Sequence, residues 1–189
     1  MTETSLNYQI VIAGVGGQGV LFTSRLLTEA ARGRGLPVIG SETHGMSQRG
    51  GSVAAHLKLG RFWSPLVADG EADLLLGLDP VEAHRALPCL RAGSGALCVV
   101  NASGERPFPD PLVAPLLQKA GVTVSVVDAD RIALGMDAPL LANLIVLGHA
   151  TTVEGFPFTF DEICAAMEAV SAPALRERNR RALERGRHA

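Results

Sequence analysis

Aromatic residues are scarce in this chain. They make up 4% of 189 residues: one Trp, one Tyr and six Phe. Proteins that hold single-stranded nucleic acid stack its bases on aromatic rings, so a surface of that kind is excluded. An excess of one charge is also lacking. Seventeen Lys and Arg against 19 Asp and Glu leave a net charge of -2, and the isoelectric point near 6.2 gives no cationic field for a polyanion. Cysteines number three, Cys89, Cys98 and Cys164, with no CxxC or metal-type spacing. They read as buried thiols of a reducing compartment, not as disulfides or a cluster cradle. No stretch reaches the roughly 20 apolar residues of a membrane span, because Asn143 interrupts the longest candidate. Met1-Thr2-Glu3-Thr4 has no basic segment of an export signal. These absences predict a soluble, cytoplasmic protein that binds neither nucleic acid nor membrane.

What is present is globular. Hydrophobic residues are 47% and charged residues 19%, with 21 Gly and 11 Pro. A chain this long buries roughly 70% of its unfolded surface, enough for a core without metals or crosslinks. Tyr8–Ala13 is a short β-branched run stopped by glycines, hence a buried strand. Val20–Ala31 has helical spacing and ends at Gly33-Arg34-Gly35 with Pro37 beyond, a helix stop. Val38–Glu42 reads as a second strand, which completes a βαβ unit with parallel strands. Alternation over 52–59 predicts a strand at the edge or on a half-solvated part of a sheet. Further strands are expected over 73–78, 96–100 and 122–127, with helices over 81–90 and 112–120. The result is a three-layer α/β/α Rossmann-like sandwich with a mostly parallel sheet, one domain over 1–189. From about residue 130 only helices are expected. Pro139–Leu147 is apolar almost all round, which in so small a chain favours a subunit interface, with a homodimer among the options, over a private core. In the charged tail Glu177 is spaced to meet Arg180 and Arg181, and the tail arginines read as a solvated helix face.

Gly14-Val15-Gly16-Gly17-Gln18-Gly19 fits G-x-G-x-x-G between a strand and a helix. Glycines there allow positive φ and close backbone approach, so amides at the helix start can face an anionic group. Glu42, near the end of the second strand, stands roughly where a dinucleotide fold places its ribose-binding acid. Taken alone, this points to NAD(P) or a flavin, or to nothing more than a tight βα turn with close helix–sheet packing. The stretch that follows, Ser41–Ser52, is polar and rich in glycine. With strands one and two adjacent, their loops converge and bring Glu42, His44, Gln48 and Arg49 beside the glycine loop. Arg49 is suited to clamp a carboxylate or phosphate, or else is an exposed loop residue. No Ser, Cys or Asp near His44 forms a nucleophile arrangement, so no catalytic residue is assigned.

Gly14–Val20 followed by Ser41–Val53 resembles the gamma-type domain of 2-oxoacid:ferredoxin oxidoreductases. The wording His44-Gly45-Met46-Ser47-Gln48-Arg49-Gly50-Gly51 is similar to the arylpyruvate branch, that of the indolepyruvate ferredoxin oxidoreductase beta subunit. The likeness continues through Ser64-Pro65-Leu66, Gly70–Asp73, Leu78-Asp79-Pro80 and Asn143-Leu144, to about Gly148. The resemblance implies a subunit and not a free-standing catalyst. Such enzymes oxidatively decarboxylate a 2-oxoacid on thiamine diphosphate with Mg, pass electrons through iron–sulfur clusters to ferredoxin, and yield an acyl-CoA. Three scattered cysteines cannot ligate a four-cysteine cluster, and no GDG…N pattern of the thiamine site is present. The cofactors are therefore expected on a large partner subunit, with no metal on this chain. Coenzyme A is the co-substrate expected at the glycine loop, with Gln48 or Arg49 as second contacts.

The remaining polar residues form no competing site. His56, His84 and His149 lie on separate elements without ligand spacing and read as structural. Asp69, Glu71 and Asp73 read as turn and strand-entry residues. Phe62 and Trp63 anchor either a partner's groove or a loop of the chain itself.

Overall fold

The computed structural model describes residues 6–44, 50–104 and 106–189. β1 (Tyr8–Val15) is followed by α1 (Val20–Gly33), β2 (Val38–His44) and β3 (Ser52–Leu59). Then come β4 (Leu74–Gly77), α2 (Pro80–Ala86), β5 (Leu97–Asn101), α3 (Val113–Lys119) and β6 (Thr123–Val127). The chain ends in α4 (Ala129–Gly135), α5 (Ala142–Ala150), α6 (Phe160–Val170) and α7 (Pro173–Arg187). The six strands form one sheet in the order β2-β3-β1-β4-β5-β6. β1, β4, β5 and β6 are parallel neighbours, and β3 is antiparallel to both β1 and β2.

Local chemistry accounts for the element ends. α1 stops in a Schellman motif: Gly35 takes φ 70°, its amide donates to the Arg32 carbonyl, and the Leu36 amide donates to that of Ala31. Asp79 caps α2 by accepting from the Val81 and Glu82 amides, with Pro80 opening the helix. That helix ends at Ala86, earlier than its periodicity predicts, and passes into a 3₁₀ turn at Leu87–Cys89 that contains Pro88. Thr159 and Glu162 form a reciprocal capping box on α6.

Side chains alternate across β1 and supply both cores. Ile10 and Ile12 face a layer that holds α1, α5, α6 and α7, whereas Val11 and Ala13 face α2, α3 and the segment through Val67. The α/β/α sandwich is thus present, but three expectations about it fail. First, β2 is not the neighbour of β1. β3 lies between them, with Tyr8 to Val15 opposite Leu59 to Ser52 on one side and Val38 to His44 opposite Leu59 to Val53 on the other. Second, β3 is accordingly interior. Its wetter face is covered: Val67 donates its amide to His56 Nδ1 at 3.3 Å, Lys58 Nζ stands 5.2 Å from the Phe62 ring centre, and Glu71 pairs with Lys58 at 3.6 Å. Burial and the Lys58 charge hold the His56 pKa below its usual range, in keeping with a neutral acceptor.

Third, the apolar segment is covered by its own chain. A 3₁₀ turn at Pro139–Leu141 leads into α5, and α7 lies across that helix. A Cβ on Gly148 would stand 2.0 Å from the Leu183 carbonyl oxygen, and one on Gly186 2.0 Å from that of Ile145. Glycine lets the two backbones touch, so α5 needs no second copy to bury it. In α7, Arg180 pairs with Glu168 and Glu184, not with Glu177. Cys98 and Cys164 are buried. Trp63 is fully exposed, so it packs on nothing within the described chain, while Phe62 lies under Lys58. No helix among the described residues is long and apolar enough to cross a membrane.

Candidate functional site

The carboxyl end of β1 runs into the glycine turn. Gly17 and Gly19 take φ of 104° and 80°, a region that penalises any side chain. Gly14 is required for a different reason, since a Cβ there would lie 2.9 Å from Gln18 Oε1 and 3.2 Å from the Leu78 side chain. Gln18 turns inward: its Oε1 accepts from the Val15 backbone N–H at 2.9 Å, while its own backbone N–H donates to the Val15 carbonyl at 3.1 Å. Gly16 donates to the Gly51 carbonyl at 2.8 Å. That last bond ties the turn to the segment entering β3. The two glycine-rich stretches therefore meet, although not by the route the sequence implies. They meet because β3 pairs with β1 and starts beside its end, with Val15 opposite Ser52.

α1 opens at Gly19 with no side-chain cap and no acid in its first turn. The Val20, Leu21 and Phe22 amides precede the first helical bond, which Thr23 makes to the Gly19 carbonyl at 2.9 Å. A helix of this length carries a partial positive charge at that end. α5 begins across from it, also without an acid or a side-chain cap in its first turn. Between them lies a cleft of about 170 Å³. Gly17 and Gln18 form one wall, Pro139, Leu140, Ala142, Asn143 and Val146 another, and Leu78, Asn101 and Asp130 the floor and far side. These last three follow or end β4, β5 and β6, so the cleft sits outside the carboxyl ends of the parallel strands, where open α/β sheets bind ligands. Asp130 makes the far side acidic and leaves the α1 side to an anion.

The predicted residues are distributed unevenly about this cleft. Gly17 and Gln18 line it, and Gly14, Gly16 and Gly19 shape the turn. Glu42 does not join them. It pairs opposite Ala55 on the edge strand and is exposed, with all of β3 between it and β1. The dinucleotide arrangement, an acid on the strand next to the glycine turn, is not formed. His44 ends β2 opposite Val53. Gln48 and Arg49 lie outside the described residues.

Two asparagines to which the sequence assigns no site role line this cleft. Asn101 donates to the Leu78 carbonyl at 3.1 Å and accepts from the Ala129 amide at 2.9 Å, which pins together the ends of three strands. Asn143 donates from Nδ2 to Thr23 Oγ1 at 3.3 Å and leans on Gly19. Its signal was legible, since it is the sole polar residue in the run from Pro139 to Leu147. Asn101, at the end of a strand, had none. His149 is structural: its Nε2 meets Ser125 Oγ at 2.8 Å, and burial lowers its pKa.

A glycine turn, an uncapped helix start and a cleft at the strand ends mark a Rossmann-like α/β domain, here with an antiparallel strand inserted beside β1. The particular kind follows from sequence relatives. Residues 9–189 match the model of the pyruvate ferredoxin/flavodoxin oxidoreductase family, and the chain belongs to that family as one subunit of an oxidoreductase. It is 36% identical over 192 residues to the indolepyruvate oxidoreductase subunit IorB of Methanothermobacter thermautotrophicus, with 96% of each chain covered. The pyruvate oxidoreductase subunit PORC of Thermotoga maritima shares the fold at a TM-score of 0.73 and 22% identity, again with 96% of each chain covered. A 2-oxoglutarate:ferredoxin oxidoreductase of Magnetococcus marinus, solved with 2-oxoglutarate, coenzyme A and succinyl-CoA bound, shares it at 0.74 and 15% identity. That likeness covers 96% of this chain and 30% of the larger one.

Proposed function

We propose that this chain is the gamma-type subunit of an indolepyruvate-class 2-oxoacid:ferredoxin oxidoreductase, and that its cleft receives the pyrophosphate end of coenzyme A. A large partner subunit carries thiamine diphosphate, Mg and the iron–sulfur clusters, and ferredoxin accepts the electrons. The 36% identity to an indolepyruvate oxidoreductase subunit supports the arylpyruvate branch. The side chains present do not suit a metal or cluster, since no three His, Cys, Asp or Glu gather as a site among the described residues. What suits an anion is the backbone at the glycine turn. The observation that carries the reading is the start of α1: three amides ahead of its first helical bond, no acid in its first turn, and a cleft walled by Gly17 and Gln18 just before it.

Bound coenzyme A supplies the thiol that takes up the acyl group. This chain's part is binding and orientation. The Val20–Phe22 amides hold phosphate oxygens, the glycines permit close approach, and the apolar wall from Pro139 to Val146 keeps water from the other side. An acid at this turn would place like charge beside the phosphates. In the enzyme reconstituted with its large subunit, coenzyme A is expected to slow amide exchange over residues 14–23. Gly17→Asp, which adds both charge and strain at φ 104°, is expected to remove that protection and raise the KM for coenzyme A more than tenfold. Absence of protection in the unaltered enzyme would overturn the assignment.

A further inference from the structure

Asn143 is 4% exposed in the first turn of an otherwise apolar helix, where leucine would pack at no polar cost. It stands where α5 reaches the glycine turn. Its Nδ2 donates to Thr23 Oγ1 at 3.3 Å, and Thr23 Oγ1 donates to the Gly19 carbonyl at 3.1 Å. Thr23 is itself 1% exposed, and its bond with Asn143 is buried. The amide of Asn143 also occupies the space of a side chain on Gly19, since a Cβ there would stand 2.6 Å from Nδ2. Asn143 thus touches the one residue that sets the direction of the first turn of α1. It lines the same cleft.

We infer that Asn143 is a positioning residue for coenzyme A: through Thr23 it holds the Gly19 cap, and with it the ligand-facing amides of α1, in register with α5. The inference rests on the coenzyme A reading of the cleft. Phosphate oxygens need several amides aimed at once, so a small rotation of the first turn weakens all of them together. The reacting end of the coenzyme lies elsewhere and is unaffected once it is bound.

The test uses the enzyme co-expressed with its large subunit and four variants: Asn143→Ala, Thr23→Val, the double variant, and Thr23→Ser. Loss of a buried neutral hydrogen bond corresponds to about a five- to tenfold change. Asn143→Ala and Thr23→Val should each raise the KM for coenzyme A by that factor. The kcat at saturating coenzyme A and the KM for the 2-oxoacid should stay within about twofold of the unaltered enzyme. The double variant should be no worse than the poorer single one, because both break one relay, and Thr23→Ser should restore the original value. Equal damage to all kinetic constants, or additive effects on the coenzyme A KM, would overturn the inference. Should Asn143→Ala fail to fold, Thr23→Val, which keeps the side-chain volume, decides alone. Amide exchange separates the two levels. No coenzyme A protection in the unaltered enzyme defeats the binding reading and this inference with it. Protection that survives undiminished in Asn143→Ala defeats only the role of Asn143.

Discussion

Glu162 joins two helices through one carboxylate. It closes the capping box with Thr159 at the start of α6 and receives both Nε and Nη2 of Arg34 from the end of α1. Arg34 in turn lies 5.1 Å from the Phe158 ring centre. The Arg34 hydrogen bonds, reinforced by those from Thr159, hold the Glu162 carboxyl down at about 2. A depressed acid stabilises the fold above its unfolded value, and the contribution is lost as pH falls from about 4.3 through about 2. Both side chains are about a third exposed, so solvent screening keeps the gain modest. Glu162→Gln is therefore expected to cost about 1 kcal/mol at neutral pH. Urea unfolding of both proteins from pH 7 down to pH 2 should show the gap closing over the acid range. A gap that persists at pH 2 would assign the loss to packing instead.

The α5–α7 crossing shows how an element's partner reverses the ordinary sign of a substitution. Glycine inside an exposed helix is worth about 1 kcal/mol less than alanine, so Gly148→Ala would normally stabilise. Here the added methyl would meet a backbone carbonyl at 2.0 Å, and so would that of Gly186→Ala. Backbone cannot swing aside like a flexible side chain. Each variant is expected to lose about 2 kcal/mol, which in a chain of this size lowers the melting temperature by roughly 4–8 °C. The double variant should lose less than the sum, because one separation of the helices relieves both clashes. Calorimetry of the three variants checks this. A melting temperature unchanged in either single variant would show that the helices do not approach so closely.

At the scale of the molecule, the helical C-terminal part completes both the core and the cleft. α7 buries α5, α5 walls the cleft, and Asn143 on α5 braces the turn that opens it. Removal of residues 172–189 should expose the inner face of α5 and open the helical layer that α7 shares with α1, α5 and α6. The truncated chain is expected to be insoluble or to bind hydrophobic dyes strongly, and dye fluorescence together with near-ultraviolet circular dichroism would report it. A truncated chain that stays soluble with native circular dichroism would show that α7 is dispensable to the core.

Local features were legible wherever neighbouring residues settle the outcome. The Tyr8–Ala13 run, the stop at Gly33-Arg34-Gly35, the turn at Gly14–Gly19 and the alternation over 52–59 each became the expected element, because backbone sterics and side-chain periodicity act over a few residues. The family likeness was legible for the same reason, being written in contiguous motifs. Tertiary structure decided which edges met. A strand carries open hydrogen-bonding groups on both sides, and nothing within 52–59 says that it pairs with β1 and β2 at once, displacing Glu42 from the site. The run at Pro139–Leu147 demands burial without specifying by what, and the answer lay in two glycines on separate helices, Gly148 and Gly186. Asn143 announced a polar group in an apolar helix, but only the fold supplied Thr23 and Gly19, about 120 residues earlier, as what it holds.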